Sequence, residues 1–270
     1  MTARRLLEVE VDVVRRIART ESVCCLLDYD GTLAPLASTP NAAVPPPGTA
    51  ALLEALATLP GIQVALVTGR TIDNIRRLID VPGIYYVGIH GLEIRFPNGT
   101  VEMSERVARL RSVLPSIKQQ IMQALGNRAG IFVEDKGLAL ACHYRLASRS
   151  DAADALQTVT SIAHGYQRLG AQVAVTQGHE VVEVRSAFAN KGKTVCRLLA
   201  HRPSLAVYIG DDQTDEDAFR LLPPESVTIR VGPATMPTAA RYRVEDPSEV
   251  LRFLRAIIEH RQGRSEYRAP

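Results

Sequence analysis

The segment Leu26-Leu27-Asp28-Tyr29-Asp30-Gly31-Thr32-Leu33 joins an apolar run, typical of a buried strand, to a glycine turn. Residues two apart in an extended chain point to the same side, so Asp28 and Asp30 are expected to face one pocket. Neighbouring carboxylates repel each other, which favours a site that holds a cation, a shared proton or a phosphoryl group. The alternative is an Asx-type turn that only caps the next element.

The chain around this segment predicts a parallel sheet, because strands alternate with helices. A helix over 3–19, a strand over 22–28 and a rigid proline loop over Pro40–Pro47 come first. A helix over 48–59 and a strand over 62–67 follow, and an apolar run over 85–89 precedes an Asn98-Gly99 hairpin turn. After residue 190 the pattern resumes, with a helix from Lys191, a strand over 205–209, a helix over 215–222, a strand over 227–231 and a helix over 247–262.

The middle of the chain has a different order of elements. Its pattern predicts helices over 105–125 and 150–168 and strands over 131–135, 138–144, 171–176 and 181–185, with turns at Asp135-Lys136-Gly137 and Gln177-Gly178-His179. We therefore expect an α/β core formed by residues 1–103 and 187–270, with a small α+β domain inserted over 104–186.

Composition narrows the classes of function. The chain has 270 residues, is 46% hydrophobic and carries a formal net charge of +3 with both signs interspersed, which argues against a nucleic-acid partner. Its four cysteines lack metal-ligand spacing and are expected to be reduced thiols. No apolar run reaches the roughly 18 residues of a membrane span, so we expect a cytoplasmic protein without a membrane partner.

Polar residues follow strand ends or helix starts at four places: Asp28 with Asp30, Thr68 with Arg70, Lys191, and Asp211 with Asp212. Each cluster alone is weak evidence for a functional site, since turns and solvated helix starts use the same residues. Together they supply a carboxylate nucleophile, a hydroxyl donor, a fixed cation and metal-binding acids. Phosphoryl transfer through an aspartyl-phosphate needs this set.

The ordered clusters resemble the haloacid dehalogenase superfamily of phosphatases, whose Asp-x-Asp-Gly-Thr-Leu motif matches Asp28 to Leu33. Its later motifs match Thr68, Lys191 and Gly210-Asp211-Asp212-x-x-Asp215. This resemblance implies a Rossmann-like parallel sheet with an inserted cap.

Longer strings resemble the trehalose-6-phosphate phosphatases within that superfamily. They are Asp28 to Pro35, Thr68-Gly69-Arg70, Gly88 to Glu93, Glu134-Asp135-Lys136, His143-Tyr144-Arg145, Glu183-Val184-Arg185, Asn190-Lys191-Gly192 and Gly210 to Glu216. Two departures stand out: Ser186 replaces an expected proline, and Thr68 replaces the commoner serine but keeps the hydroxyl.

The resemblance implies a role for each site residue. Asp28 is the nucleophile, Asp30 the general acid and base, and Thr68 and Lys191 stabilise phosphoryl oxygens. Mg²⁺ is expected between Asp28, the Asp30 carbonyl and Asp211, while Asp212 and Asp215 hold the metal's waters and Lys191. Substrate contacts are expected from Gly69, Arg70, His90, Gly91, Glu134, Lys136, Glu183 and Asn190.

Several alternatives stay open at this point. Arg70 and His90 fit a structural role nearly as well, and His143-Tyr144-Arg145 fits cap architecture better than ligand binding. The catalytic clusters would contact the phosphate and not the sugar, so they do not identify the sugar. A glucosylglycerol phosphate and a mannosyl phosphoglycerate are therefore alternative substrates. A third possibility is a non-catalytic protein that binds a sugar phosphate and is a partner of a trehalose-phosphate synthase. If the chain is the enzyme, we expect a functional link to such a synthase, which would make its substrate.

Overall fold

The computed structural model describes residues 3–37, 42–104, 106–178, 180–200 and 205–266. The chain divides into two compact units, Met1–Glu102 with Asn190–Pro270 and Met103–Ala189. Within the described residues, one sheet has nine strands and the other has four.

The elements alternate as expected over most of the chain. Up to residue 103 they are β1 (Arg4–Arg5), α1 (Glu10–Arg19), β2 (Val23–Leu27), α2 (Thr49–Thr58), β3 (Ile62–Val67), α3 (Ile72–Leu78), β4 (Tyr85–Gly88), β5 (Glu93–Arg95) and β6 (Val101–Met103). The smaller unit continues with α4 (Arg106–Leu125), β7 (Phe132–Asp135), β8 (Ala139–His143), α5 (Arg149–Arg168), β9 (Val173–Gly178) and β10 (Val181–Ser186). The last part contains α6 (Lys191–Ala200), β11 (Leu205–Gly210), α7 (Glu216–Leu221), β12 (Val227–Val231), β13 (Tyr242–Val244) and α8 (Pro247–Glu266).

The large sheet has the strand order β1-β13-β12-β11-β2-β3-β4-β5-β6. Strand β2 lies between β11 and β3 and is parallel to both. From β2 the strands are added in order on the side of β3, and the later strand β11 is added on the opposite side of β2. A change of direction of this kind opens a crevice at the carboxyl ends of the strands, where α/β proteins bind ligands. The α/β fold with a parallel core sheet is therefore confirmed.

Alternate residues of β2 belong to two different hydrophobic cores. Val23, Cys25 and Leu27 pack with residues of α1, α2 and α8, whereas Cys24 and Leu26 pack with residues of α6 and α7. All five residues of β2 are buried. This explains why the strand has a continuous apolar sequence instead of an alternating one.

The smaller unit has an antiparallel sheet with the order β7-β8-β10-β9. Val182 and Val184 of β10 lie opposite Cys142 and Leu140 of β8, and all four side chains are buried. Glu183 points to the other face, beside Ala141.

One local expectation was wrong, and one helix had not been expected. The predicted helix over 3–19 begins only at Glu10, because Arg4–Arg5 pairs in parallel with β13 and the backbone N–H of Arg4 donates to Arg241 O at 2.9 Å. The helix α3 was not anticipated. Its first turn is held by Thr71, whose hydroxyl accepts from the backbone N–H of Asn74 at 3.1 Å.

Some predicted features lie outside the described residues. The first two residues of the Pro40–Pro47 loop, Glu105 at the start of the predicted cap helix and His179 of the predicted turn belong to this group. Among the helices that the structure describes, none is long and apolar enough to cross a membrane.

Candidate active site

The turn after β2 places the first two acids. Asp28 follows the last residue of the strand and is buried, and its backbone N–H donates to Ile209 O of β11 at 2.9 Å. Gly31 adopts φ +79°, a conformation that favours glycine, and its N–H donates to Ala34 O at 2.8 Å. A Cβ at position 31 would overlap the carboxylate of Asp211, so only glycine lets the turn approach the acidic residues after β11.

Lys191 joins two of the strand-end acids. Its Nζ donates to Asp28 Oδ1 at 2.6 Å and to Asp215 Oδ1 at 2.8 Å, and all three side chains are almost fully buried. Burial alone would lower the pKa of Lys191, but the charges of Asp215 and Asp28 and the hydrogen bonds to them raise it above its ordinary value. Lys191 is therefore a fixed positive charge beside the predicted nucleophile.

Asp215 is held by more than the lysine. The hydroxyl of Tyr208 donates to Asp215 Oδ1 at 2.7 Å, and the backbone N–H of Asp212 donates to Oδ2 at 3.0 Å. With both oxygens occupied, Asp215 is suited to orienting Lys191. Tyr208 was missed by sequence reasoning, since a tyrosine in an apolar strand carries no signal of its own; the acid that its hydroxyl reaches lies seven residues later.

The carboxylates of Asp28 and Asp211 are poorly compensated. Burial raises the pKa of Asp28 well above its ordinary value, although the charge of Lys191 opposes this effect. Burial and then the negative charges of Asp215 and Asp212 raise the pKa of Asp211 to about 7. Asp211 Oδ1 is buried and has no hydrogen-bond partner among the described residues.

These acids fit a divalent cation. Asp28, Asp211 and Asp215 each offer a carboxylate oxygen, and the three oxygens lie within 4.8 Å of one another. Hard cations such as Mg²⁺ and Ca²⁺ prefer oxygen ligands, and a cation would supply both the charge and the partner that Asp211 Oδ1 lacks. A metal is therefore better held by Asp28 and Asp211 than by Asp215, whose oxygens already accept three hydrogen bonds.

The loop after β3 brings in the hydroxyl and the arginine. Thr68 is buried, and its Oγ1 accepts from the backbone N–H of Arg70 at 3.1 Å. A hydroxyl that accepts in this way still has its own proton to donate. Arg70 Nε and Nη2 donate to the two oxygens of Asp30 at 2.7 and 2.6 Å, so Asp28 and Asp30 each pair with a different cation.

A strained segment, Ile89–Gly91, lies against that loop. Ile89 and His90 have φ values of +46° and +52°, which are unfavourable for side chains with a Cβ and especially for a branched one. The N–H of His90 donates to Thr68 O at 3.0 Å, and a Cβ at Gly69 would lie only 2.8 Å from His90 Nε2. Backbone strain of this kind concentrates at functional sites.

Asn190 occupies the start of α6. Its Oδ1 accepts from the backbone N–H of Lys193 at 2.8 Å and its Nδ2 donates to Asp217 Oδ2 at 2.9 Å. The side chain thus caps the helix that carries Lys191. A contact from Asn190 to substrate stays a prediction.

The predicted cap residues share one face of the smaller sheet. Glu134 and Glu183 both lie opposite Ala141, from the strands on its two sides. Lys136 Nζ donates to Glu183 Oε1 at 2.8 Å, and His143 Nε2 lies 3.0 Å from Glu134 Oε2. The sequence favoured a structural role for His143 in the smaller unit. In the structure His143 contacts Glu134, which is predicted to bind the substrate.

Comparisons with known proteins agree with this geometry. The family model described as Trehalose-phosphatase matches residues 26–248. A trehalose-phosphate phosphatase of Mycobacterium marinum is 36% identical over 236 residues, which are 84% of this chain and 59% of that protein. A probable trehalose-phosphate phosphatase D of Arabidopsis thaliana is 30% identical over 92% of this chain and 70% of that protein.

A solved structure supports the fold. The C-terminal domain of trehalose-6-phosphate phosphatase from C. albicans superposes with a TM-score of 0.83 at 23% identity, covering 96% of this chain and 99% of that one. The chain spans 59% of the length of the M. marinum relative. The family model covers most of the chain, and the chain therefore belongs to the trehalose-phosphatase family of the haloacid dehalogenase superfamily.

Proposed function

We propose that the chain hydrolyses trehalose 6-phosphate to trehalose and inorganic phosphate, with Mg²⁺ as its cofactor. The observation that carries the proposal is the buried set at the carboxyl ends of β2 and β11. There Lys191 bridges Asp28 and Asp215 beside Asp211, whose Oδ1 has no hydrogen-bond partner among the described residues. The proposal further rests on relatives that are named trehalose-phosphate phosphatases.

In the first step, a carboxylate oxygen of Asp28 attacks phosphorus and the bond from phosphorus to the sugar oxygen breaks. Asp30 gives its proton to that oxygen, because a sugar alkoxide is a poor leaving group. The products are trehalose and a phosphorylated Asp28. Lys191 holds Asp28 in place and its charge favours the ionised form that attacks, against the effect of burial, and the same charge stabilises the phosphoryl oxygens.

In the second step, water attacks phosphorus and gives a proton to Asp30, and the bond between phosphorus and Asp28 breaks. Inorganic phosphate leaves, and both acids return to their starting states. Thr68 would donate its hydroxyl proton to a phosphoryl oxygen in both steps. Mg²⁺, held by Asp28, Asp211 and the Asp30 carbonyl, would neutralise part of the phosphoryl charge.

Recognition of the sugar is assigned to the smaller unit. A neutral disaccharide offers only hydroxyl groups beyond its phosphate, so it needs donors and acceptors fixed in place. Glu134, Lys136 and Glu183 provide both. The ion pair between Lys136 and Glu183 and the contact of Glu134 with His143 preorganise them. The proposal also includes a cytoplasmic location and a functional link to a trehalose-phosphate synthase that makes the substrate.

The test is phosphate release in Mg²⁺ from trehalose 6-phosphate, glucose 6-phosphate, glucosylglycerol phosphate and p-nitrophenyl phosphate. Asp28→Asn should abolish release, whereas Asp80→Asn, at an exposed acid paired with Arg76 in the same unit, should not change it. Strong preference for trehalose 6-phosphate supports the proposal. Preference for another sugar phosphate would keep the phosphatase and discard the substrate, and no release from any of them would favour the non-catalytic reading.

A further inference from the structure

Arg70 and Asp30 form a two-pronged ion pair. The Nε and Nη2 atoms of the guanidinium donate to Asp30 Oδ2 and Oδ1 at 2.7 and 2.6 Å. The Arg70 side chain is only 8% exposed, whereas that of Asp30 is 37% exposed. The arginine thus forms a buried support, and the carboxylate that it holds stays open on its other side.

Arg70 is itself fixed by its surroundings. Its Nη1 donates to Asn74 Oδ1 on α3 at 2.8 Å, and its guanidinium carbon lies 5.4 Å from the centre of the Tyr29 ring. The helix α3 is anchored in turn, because Glu93 Oε2 accepts from the backbone N–H of Ile72 at 3.1 Å. At least three of the five guanidinium N–H groups therefore point at protein acceptors.

We propose that Arg70 is a positioning residue for the general acid and base Asp30, and not a ligand of the substrate. The inference rests on the proposed function, since it assigns a task to Asp30. A carboxylate has about four lone-pair sites, so a two-pronged arginine leaves one on each oxygen for the proton or the water. The planar fork of arginine fixes the plane of the carboxylate, which a lysine could not do.

The size of the effect follows from geometry. A displacement of about 1 Å in a catalytic group costs on the order of 10²-fold in rate. Without Arg70, Asp30 would rotate freely at its exposed position and lose this alignment. The loss belongs to kcat, because orientation of the proton donor matters in the transition state and little in substrate binding.

The experiment is a double-mutant cycle on trehalose 6-phosphate with the full chain and Mg²⁺. The four proteins are the wild type, Arg70→Gln, Asp30→Asn and the double variant. Arg76→Gln is the matched control, because Arg76 also forms a two-pronged pair, with Asp80, on the surface of α3. If Arg70→Gln does not fold, Asn74→Ala loosens the same arginine and leaves the backbone cap at Thr71 intact.

We expect Arg70→Gln to lower kcat on the order of 10²-fold with little change in KM, and Arg76→Gln to change neither. In the Asp30→Asn background the Arg70 substitution should cost less than about twofold, since residues that act through one another are not additive.

Equal losses in both backgrounds, or a raised KM with unchanged kcat, would overturn the positioning role while the proposed phosphatase stands. If the wild type prefers another sugar phosphate, the same cycle is read on that ester, because its leaving alkoxide also needs the proton of Asp30. Absence of turnover on every phosphoester would overturn both.

Discussion

At the scale of single residues, Lys191 is the positive charge that compensates the buried acids of the site. It is the partner of two buried carboxylates, and a third, Asp211, lies close to them. Removing one member of a buried ion pair usually costs about 3–5 kcal/mol, because the remaining charge has lost its compensation. Even with Lys191 present, the carboxylates outnumber the ammonium group, so a proton or a cation must supply the remaining positive charge.

The pKa of Asp211, raised to about 7, makes cation binding depend on pH. The folded metal-free protein keeps a proton that the unfolded chain loses near its ordinary pKa of about 4, so its stability falls as the pH rises from about 4 through about 7. A cation replaces that proton. We expect Mg²⁺ to raise the thermal midpoint more at about pH 8 than at about pH 5, and the difference to shrink in Asp211→Asn. An equal shift at both pH values would contradict this assignment.

At the scale of elements, the turn that follows β2 shows how a single glycine shapes the site. Gly31 has positive φ and faces the Asp211 carboxylate, whereas Gly83 has φ +74° and open space, with no atom within 4 Å, where a Cβ would lie. The two positions therefore separate backbone strain from steric overlap.

We expect Gly31→Ala and Gly83→Ala each to lose about 1–2 kcal/mol of unfolding free energy through strain at positive φ. Gly31→Ala alone should also lose Mg²⁺-dependent phosphatase activity, because its Cβ displaces Asp211. Chemical denaturation and phosphate release measure the two effects. Activity retained in Gly31→Ala would show that the turn does not depend on this close approach.

The buried strands and the acids at their ends could be predicted, because both leave a local pattern in the sequence. That pattern is a continuous apolar run followed directly by Asp or Gly. The helix α3 was not predicted, since it has only seven residues and its Thr71 cap is a weak local signal. A further acceptor for its first turn is Glu93 of β5, which lies 21 residues after Ile72. The pairing of Arg4–Arg5 with β13 and the contact between Arg70 and Asp30 were also not predicted, because each joins residues far apart in the sequence. Contacts across the sheet are set by topology, which local patterns do not contain.

At the scale of the whole molecule, the tasks are divided between two units. The larger unit carries the proposed phosphoryl chemistry at the crevice beside β2, and the smaller unit carries Glu134, Lys136 and Glu183 on one sheet face. Chemistry and sugar recognition should therefore be separable by mutation.

We expect Lys136→Ala to lower kcat/KM for trehalose 6-phosphate by about 10- to 100-fold, since one charge-assisted hydrogen bond is lost. The rate on p-nitrophenyl phosphate, which has no sugar, should stay unchanged. Lys118→Ala is the control, because Lys118 forms an exposed ion pair with Asp135 in the same unit. Equal losses on both substrates would place Lys136 outside sugar recognition.

The central claim is that Asp28 becomes phosphorylated during turnover. The most direct test is acid quenching of the protein during hydrolysis of trehalose 6-phosphate in Mg²⁺, followed by mass analysis of the peptide that contains Asp28. We predict one added phosphoryl group on that peptide in the wild type and none in Asp28→Asn. Turnover without a phosphorylated peptide, or turnover that persists in Asp28→Asn, would contradict the account.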